Sequence, residues 1–399
     1  LDASQGIGFL HGDYNLVSKF VAGTKSLNLW AGHSLENSKS SISKHELFNF
    51  PDHQLNREQS YNNADNRKSE EYVQASISNR GKKHIWMLRG GVAWNERRNR
   101  ITNGITSYWQ TEASTCNDNL LSINNRNNYF RPSIYYYGLH NFSNTKSFGY
   151  FIDSYYSRND HNRLYNEDDA SFQSKVKENY YYTQANANYS ISFKNKSRLS
   201  FNLFEFLRVS ASKYAGTSAF HQNLHSSETI LFTDYSLHSG RFFFGICPGL
   251  SFLTYRLIGM KAINHLTPRF QSRISFMIDK AQQLQITFAL GNTFPKINTI
   301  NNVEQQIDPV IVLKGNPKMD NSILLNPRLN YTLHLYKLAL QIGTSYFYQN
   351  HSIVSDYYIR DKHLINAFRD DCIYHCPSTD LSITYKPTNS LNMKLSGLW

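Results

Sequence analysis

Three observations predict an all-β chain folded as a transmembrane antiparallel β-barrel of about sixteen strands, one domain over residues 1–399. Polar and apolar residues alternate strictly in run after run. Short and long connections between runs follow each other along the whole chain. Aromatic residues make up 14% of the sequence and charged residues only 18%, so its polarity rests largely on Asn, Ser and Gln. That composition suits a wall with one oily face and one wet face. A chain too polar to fold would carry few aromatics and many charges, which excludes disorder.

The alternation is plainest in residues 179–193. Tyr181, Thr183, Ala185, Ala187, Tyr189, Ile191 and Phe193 share one face, with Gln184, Asn186, Asn188, Ser190 and Ser192 on the other, because successive strand side chains point to opposite sides. The greasy face is small in the middle and aromatic towards both ends, as a lipid-facing strand between two interfacial girdles reads. Phe270, Ile274 and Phe276 alternate in the same way with Arg269, Gln271, Arg273 and Ser275, and Leu284, Ile286, Phe288 and Leu290 with Gln283, Gln285 and Thr287. Leu329, Tyr331, Leu333, Leu338, Leu340 and Ile342 continue the pattern. The wet face is mostly amide and hydroxyl, which fits a water-filled bore better than the Lys- and Glu-rich exterior of a soluble sandwich. No stretch approaches about 18 consecutive apolar residues, so no helix crosses a membrane. Strands of roughly 10 residues can.

Tight polar turns fall at 23–25, 80–83, 141–146, 194–197, 238–240, 280–282, 336–337 and 386–389. Each joins two alternating runs into a hairpin. Long polar stretches lie between the hairpins, at 37–68, 97–126, 158–178, 210–227, 257–266, 292–321 and 351–378, and read as outer loops. Residues 105–112 read as a strand extension above the membrane. Glu205 breaks the register set by Leu199, Phe201 and Leu203, which implies a β-bulge or a position beyond the lipid. With the short turns on the inner side, the first and last runs place both chain ends outside, so the expectation is a fragment of a larger barrel. The alternative is a complete barrel closed by the final run, Leu391, Met393, Leu395 and Trp399.

The net charge is +12, but its densest cluster, Arg97, Arg98 and Arg100, stands beside Asn and Glu without stacking aromatics. Nucleic acid is therefore not expected as a partner, whereas basic outer loops can meet lipid phosphates. Cys372 and Cys376 lie close together in a supposed loop, where a disulfide and two free thiols are both open. Cys116 and Cys247 stand apart. His221 and His225 have helical metal spacing but lie in a Ser- and Asn-rich stretch with no acidic partner. Glu167, Asp168 and Asp169 read as a solvated acidic tip, since the every-second-residue oxygen ligands of a calcium loop are missing. Tyr135 to Tyr137 and Tyr180 to Tyr182 read as interfacial anchors or, alternatively, as stacking surfaces for a sugar. No phosphate loop, nucleophile elbow or zinc helix is present, so neither catalysis, nor a cofactor, nor a metal is expected.

From Leu266 the chain reads Leu-Thr-Pro-Arg-Phe, two alternating runs, then Asn292-Thr293-Phe294-Pro295, a polar loop, and Gly315-Asn316-Pro317-Lys318-Met319. This order resembles TonB-dependent outer-membrane receptors of the Bacteroidota type, in which a Pro-containing strand end precedes a loop with a Gly-Asn-Pro-x-Leu-x-Pro-like element. Phe294, Pro295, Gly315, Asn316 and Pro317 match, while Met319 and Asn321 replace the usual Leu and Pro. The motif covers about 70 residues; the strand-and-loop rhythm spans the rest. The resemblance implies a barrel of about 22 strands around a plug in the bacterial outer membrane. It also implies uptake of an unidentified siderophore, vitamin, glycan or peptide. Outer-membrane lipid, TonB acting through an N-terminal plug and a surface lipoprotein are the implied partners, and the plug has no counterpart in this sequence. Substrate contacts vary within the family, so none carries over. A soluble β-propeller and a passive porin are the alternatives.

Overall fold

The structure, a computed structural model, describes residues 2–5, 11–110, 117–216, 219–295, 297–361, 363–388 and 391–399. Its wall begins with a short β1 (Asp2–Gln5), followed by β2 (His11–Ala22), β3 (Lys25–Asn49), β4 (Gln54–Arg80), β5 (His84–Gln110) and β6 (Asn117–Asn141). It continues through β7 (Lys146–Glu167), β8 (Ala170–Ser192), β9 (Ser197–Gly216), β10 (Phe220–Ser239) and β11 (Phe242–Leu257). After β12 (Ile263–Met277) and β13 (Gln282–Thr293) the chain leaves the wall for a one-turn α1 (Ile297–Ile300) and a small hairpin, β14 (Glu304–Gln306) and β15 (Ile311–Lys314). It returns as β16 (Ser322–His334), β17 (Leu338–Arg360), β18 (His363–Tyr385) and β19 (Met393–Leu398).

Every wall strand pairs antiparallel with its neighbour along the chain, and β13 pairs with β16 across the excursion. The result is one continuous sheet rather than separate blades, which removes the propeller. Among the described residues no register joins β19 to β1 or β2, so the sheet is open.

The two faces are inverted relative to a protein dissolved in water. Leu203, Leu231 and Leu250 stand side by side on β9, β10 and β11 and are 42%, 53% and 49% exposed. Ile77, Leu88, Ile134, Ile152, Ile274, Ile286 and Leu329 share that outer face and are likewise exposed. The inner face buries hydroxyls instead: Ser76, Ser157, Ser190, Ser200, Ser210 and Ser251. Leaving a Leu or Ile in water forfeits about 1.5–3 kcal/mol of burial energy per side chain. Only an apolar solvent makes this outer face stable, and lipid is that solvent.

Among the described residues the short turns fall where the sequence places them; residue 389, the end of the turn expected at 386–389, lies outside them. Gly23 (φ 58°) and Gly240 (φ 53°) supply the left-handed conformation that tight hairpin turns require. The long polar stretches differ from expectation, because most are paired strand rather than loop. The β3–β4 ladder runs on to Asn49↔Gln54, β7–β8 to Glu167↔Ala170, and β17–β18 to Arg360↔His363. Beyond the lipid, Asn, Ser and Arg replace the aliphatic residues while the backbone bonds continue. Residues 105–110 are part of β5, the extension expected there, and 111–112 lie outside the described residues. Glu205 keeps an unbroken register with Ala185 and Thr229, so no bulge restores its phase. It faces outward and accepts hydrogen bonds from Ser227 Oγ at 2.9 Å and Thr229 Oγ1 at 2.5 Å.

Candidate functional site

Phe294, Pro295 and residues 297–321 fold back into the mouth of the bore as a strap. Alternation turns Leu224, Leu253, Tyr255 and Leu257 of β10 and β11 inward, and these pack with Ile300 and Met319 of the strap into the molecule's apolar core. Phe294 and Phe368 pack against that core. The small hairpin crosses the mouth, and β15 pairs parallel with the start of β18.

The motif residues hold this excursion in place. Pro295 is fully buried. A Cβ on Gly315 would sit 2.0 Å from the Asn301 carbonyl oxygen, so only glycine fits there. The Asn316 backbone N–H donates to Thr299 O at 2.7 Å, and its Nδ2 donates to Phe368 O at 3.0 Å. Its Oδ1 accepts from the Lys318 backbone N–H at 3.0 Å, across half-buried Pro317. Tyr255 Oη donates to Met319 O at 2.8 Å. Asn321, where the resembling family has Pro, donates to Thr267 Oγ1 at 3.0 Å.

Beneath the strap lies a cavity of about 570 Å³ lined by Arg131, Tyr155, Tyr180, Arg208, Ser226 and Phe294, among others. The Arg131 guanidinium stacks over Tyr155 at 4.8 Å, and that of Arg208 over Phe294 at 5.4 Å. Two carboxylates in the lining are already engaged. Glu178 accepts from Asn159 at 2.8 Å and Ser210 at 2.6 Å, and Glu228 accepts from Ser251 and Arg269, both at 2.7 Å. Among the described residues Arg131 Nε, Arg208 Nη1 and Ser226 Oγ are buried with no partner. Buried donors normally find acceptors, so the cavity has unused donor capacity for an anionic or carbonyl-bearing guest held between aromatic rings.

Above the cavity the strap is tied to the opposite side of the mouth. Arg57, 1% exposed, donates from Nη1 to Asp308 Oδ2 at 2.9 Å and from Nη2 to Glu46 Oε2 at 2.6 Å. Asp308 also accepts from the backbone N–H groups of Val310 and Ile311 at 2.8 and 2.7 Å. At the other end Glu304 sits between Arg360 and Lys314, at 2.5 and 2.9 Å. These two cations pull its carboxyl down to about 2.

Other singled-out residues fall differently from expectation. Only the middle member of each tyrosine triplet faces outward: Tyr181 is 40% exposed and Tyr136 meets Tyr150. Tyr135 lies under Arg89, and Tyr180 lines the cavity. Glu167 is no solvated tip. It is 4% exposed and accepts from Tyr165, Tyr108 and Asn119. Asp168 (φ 45°) makes the turn and accepts from the Leu120 N–H. His221 and His225 lie in strand β10 rather than a loop or helix, so their side chains stand ~13 Å apart. Cys372 and Cys376 lie in strand β18, ~13 Å apart, too far for the ~4.4–6.8 Å Cα separation of a disulfide. Both are free thiols, as is Cys247; Cys116 lies outside the described residues. Among the described residues no group of three His, Cys, Asp or Glu is placed to hold a metal ion. The cavity residues Arg131, Glu178, Arg208 and Glu228 escaped the sequence reading. Their one signal was charge at inward positions of an otherwise amide and hydroxyl face.

No protein-family model matches the chain, and no curated protein matches its sequence. Solved structures do match its fold. The ferric preacinetobactin receptor BauA of Acinetobacter baumannii is 9% identical with a TM-score of 0.55, over 94% of this chain and 60% of the receptor. The siderophore receptor PirA of Pseudomonas aeruginosa is 10% identical with a TM-score of 0.59, over 97% of this chain and 65% of its own. The ferric yersiniabactin uptake receptor FyuA of Yersinia pestis is 12% identical with a TM-score of 0.58, over 97% and 58%. The chain thus spans about three fifths of the length of the receptors it matches. An oily exterior, a hydroxyl-lined bore and these likenesses agree: the fold is that of the barrel of TonB-dependent outer-membrane receptors.

Proposed function

We propose that this chain is wall from a receptor in the bacterial outer membrane that takes up a bulky nutrient in a TonB-dependent way. The observation that carries this reading is the bore itself. An amide- and hydroxyl-lined channel holds a strap-covered cavity with unpartnered Arg131, Arg208 and Ser226 donors between aromatic rings. Arg131, Arg208, Tyr155, Tyr180 and Phe294 are then the substrate contacts, and the guest is anionic or carbonyl-rich: a siderophore, vitamin, glycan or peptide. The chain's share of its structural neighbours' length supports a larger parent barrel, of about 22 strands, with further wall and a plug that TonB pulls. The order Phe294, Pro295, Gly315, Asn316 and Pro317 supports the Bacteroidota-type barrel, in which a surface lipoprotein partners the outer face. No cofactor and no catalysis enter this reading; the protein is a transporter, not an enzyme.

The test uses the full-length parent protein. Arg131→Gln with Arg208→Gln removes two charged donors, each contributing about 1.5–3 kcal/mol when engaged. Uptake of the nutrient should fall at least tenfold, with unchanged abundance and a heat-shifted gel band in the outer-membrane fraction. Unaltered uptake removes the cavity from the path. Uptake that persists without TonB points to a passive porin, and recovery of the parent in the soluble fraction sinks the whole reading.

A further inference from the structure

The cavity beneath the strap needs more from its guest than negative charge. Four groups in its lining are buried with no partner among the described residues, and they differ in kind. Arg131 Nε and Arg208 Nη1 only donate, Asn292 Oδ1 only accepts, and Ser226 Oγ does either. Neighbouring acceptors fix the Asn292 amide in this sense, because its Nδ2 donates to Glu228 Oε1 at 3.4 Å and to Asn321 Oδ1 at 3.3 Å. A carboxylate carries acceptors alone, so it would answer the guanidiniums and leave Asn292 unmet. A hydroxyl both donates and accepts. Towards the mouth the inner face repeats the combination, with Asn95 Nδ2 and Asn125 Oδ1 also buried and unpartnered.

Charge and shape narrow the guest further. Arg269, from outside the lining, neutralises Glu228 at 2.7 Å. Glu178 is held only by the uncharged donors Asn159 and Ser210. The two guanidiniums of Arg131 and Arg208 therefore face one carboxylate that no cation neutralises, which leaves a positive charge in surplus. Tyr155 and Tyr180, with ring centroids 5.9 Å apart, add flat apolar faces. A uronic acid ring carries all of these complements: a single carboxylate, several hydroxyls and a face of C–H groups. An acidic peptide also donates and accepts, but an extended peptide is captured by adding to a strand edge. Every wall strand that lines this cavity is paired on both sides, so no edge is offered.

We propose that the cavity takes a uronic acid unit of a glycan. Its carboxylate meets Arg131 and Arg208, its hydroxyls meet Asn292 and Ser226, and its ring lies against Tyr155 and Tyr180. The inference rests on the uptake reading given above and narrows the nutrient of that reading to an acidic sugar.

Calorimetry on the full-length parent tests it, in an uncharged polyoxyethylene detergent because a maltoside would itself present sugar. The probes are the disaccharide glucuronosyl-glucose, its neutral counterpart glucosyl-glucose, citrate, an aspartate-rich tetrapeptide and a ferric tricatecholate. Glucuronosyl-glucose should bind about thirtyfold more tightly than glucosyl-glucose, the effect of charge-assisted bonds to arginine, and more tightly than the other three. In R131Q/R208Q the two disaccharides should bind within about threefold of each other. Tyr180→Leu should weaken both about fivefold and leave the preference between them intact. The comparison of probes on the wild type needs no variant and so stands whether or not a variant keeps its heat-shifted band. Equal binding of the two disaccharides, a preference that survives in R131Q/R208Q, or tighter binding of citrate, the peptide or the tricatecholate overturns the proposal. Tighter binding of the tricatecholate with uptake that still needs TonB would sink the sugar and leave the transport reading standing. Uptake independent of TonB would remove that reading while the sugar preference, measured in detergent, stood.

Discussion

Arg57 holds two carboxylates that come from opposite sides of the mouth. Its side chain is 1% exposed and those of Asp308 and Glu46 are 6% and 18% exposed, so water screens little of the pairing. Arg57→Met would leave Asp308 without its cation and Glu46 with Lys44 alone, a loss of about 3–5 kcal/mol. Hydrogen exchange should then show residues 304–314 opening while the wall stays protected; unchanged protection there would show that the ion pairs do not hold the strap. Acid should act through the other end. Glu304 titrates near 2 when folded, below the ordinary 4.5, because Arg360 and Lys314 favour its charged form. A lowered folded value means its contribution is complete above about pH 4.5 and is lost as pH falls towards 2. Glu46 has the same sense: burial pushes its carboxyl up, but Lys44 and Arg57 together outweigh that. Exchange in the strap should rise across this window in the wild type and stay flat at the β15 end in Glu304→Gln. An acid-insensitive wild type would contradict the assignment.

At the scale of the strand, one residue of displacement decides the solvent. Leu203 lies near the middle of the oily band, six residues from the start of β9. Leu203→Arg should cost about 2–4 kcal/mol in a lipid bilayer. Gln271→Arg on the inner face of β12 should stay within about 0.5 kcal/mol. Unfolding from vesicles measures both, and equal effects would mean that the two faces share one solvent. The lipid-crossing part of each strand was legible because period-two polarity exists only where one face meets lipid and the other water. Above the lipid both faces meet water, the contrast vanishes, and paired strand such as residues 54–68 of β4 reads as loop. Glu205 shows the converse. A single acid on the oily face suggested a bulge, whereas hydroxyls from Ser227 and Thr229 hold it in register.

At the scale of the molecule, the candidate site was illegible for a geometric reason. Arg131, Arg208 and Phe294 come from β6, β9 and the strap, and no local pattern states that the bore gathers them. The Glu167 cluster was hidden likewise, since Tyr108 and Asn119 reach it from 59 and 48 residues away. The Phe294–Pro295 and Gly315–Asn316–Pro317 elements were visible because close backbone approach demands particular residue types at particular places. The strap also bears on how the protein is built. Wall ladders join partners that are neighbours along the chain, so the sheet can zip up hairpin by hairpin at small loop-closure cost. The Arg57–Asp308 bond instead spans 251 residues. It can form only once β3, β4 and the strands flanking the excursion stand in place, which makes the seating of residues 304–314 a late event in assembly and leaves the passage unobstructed until then.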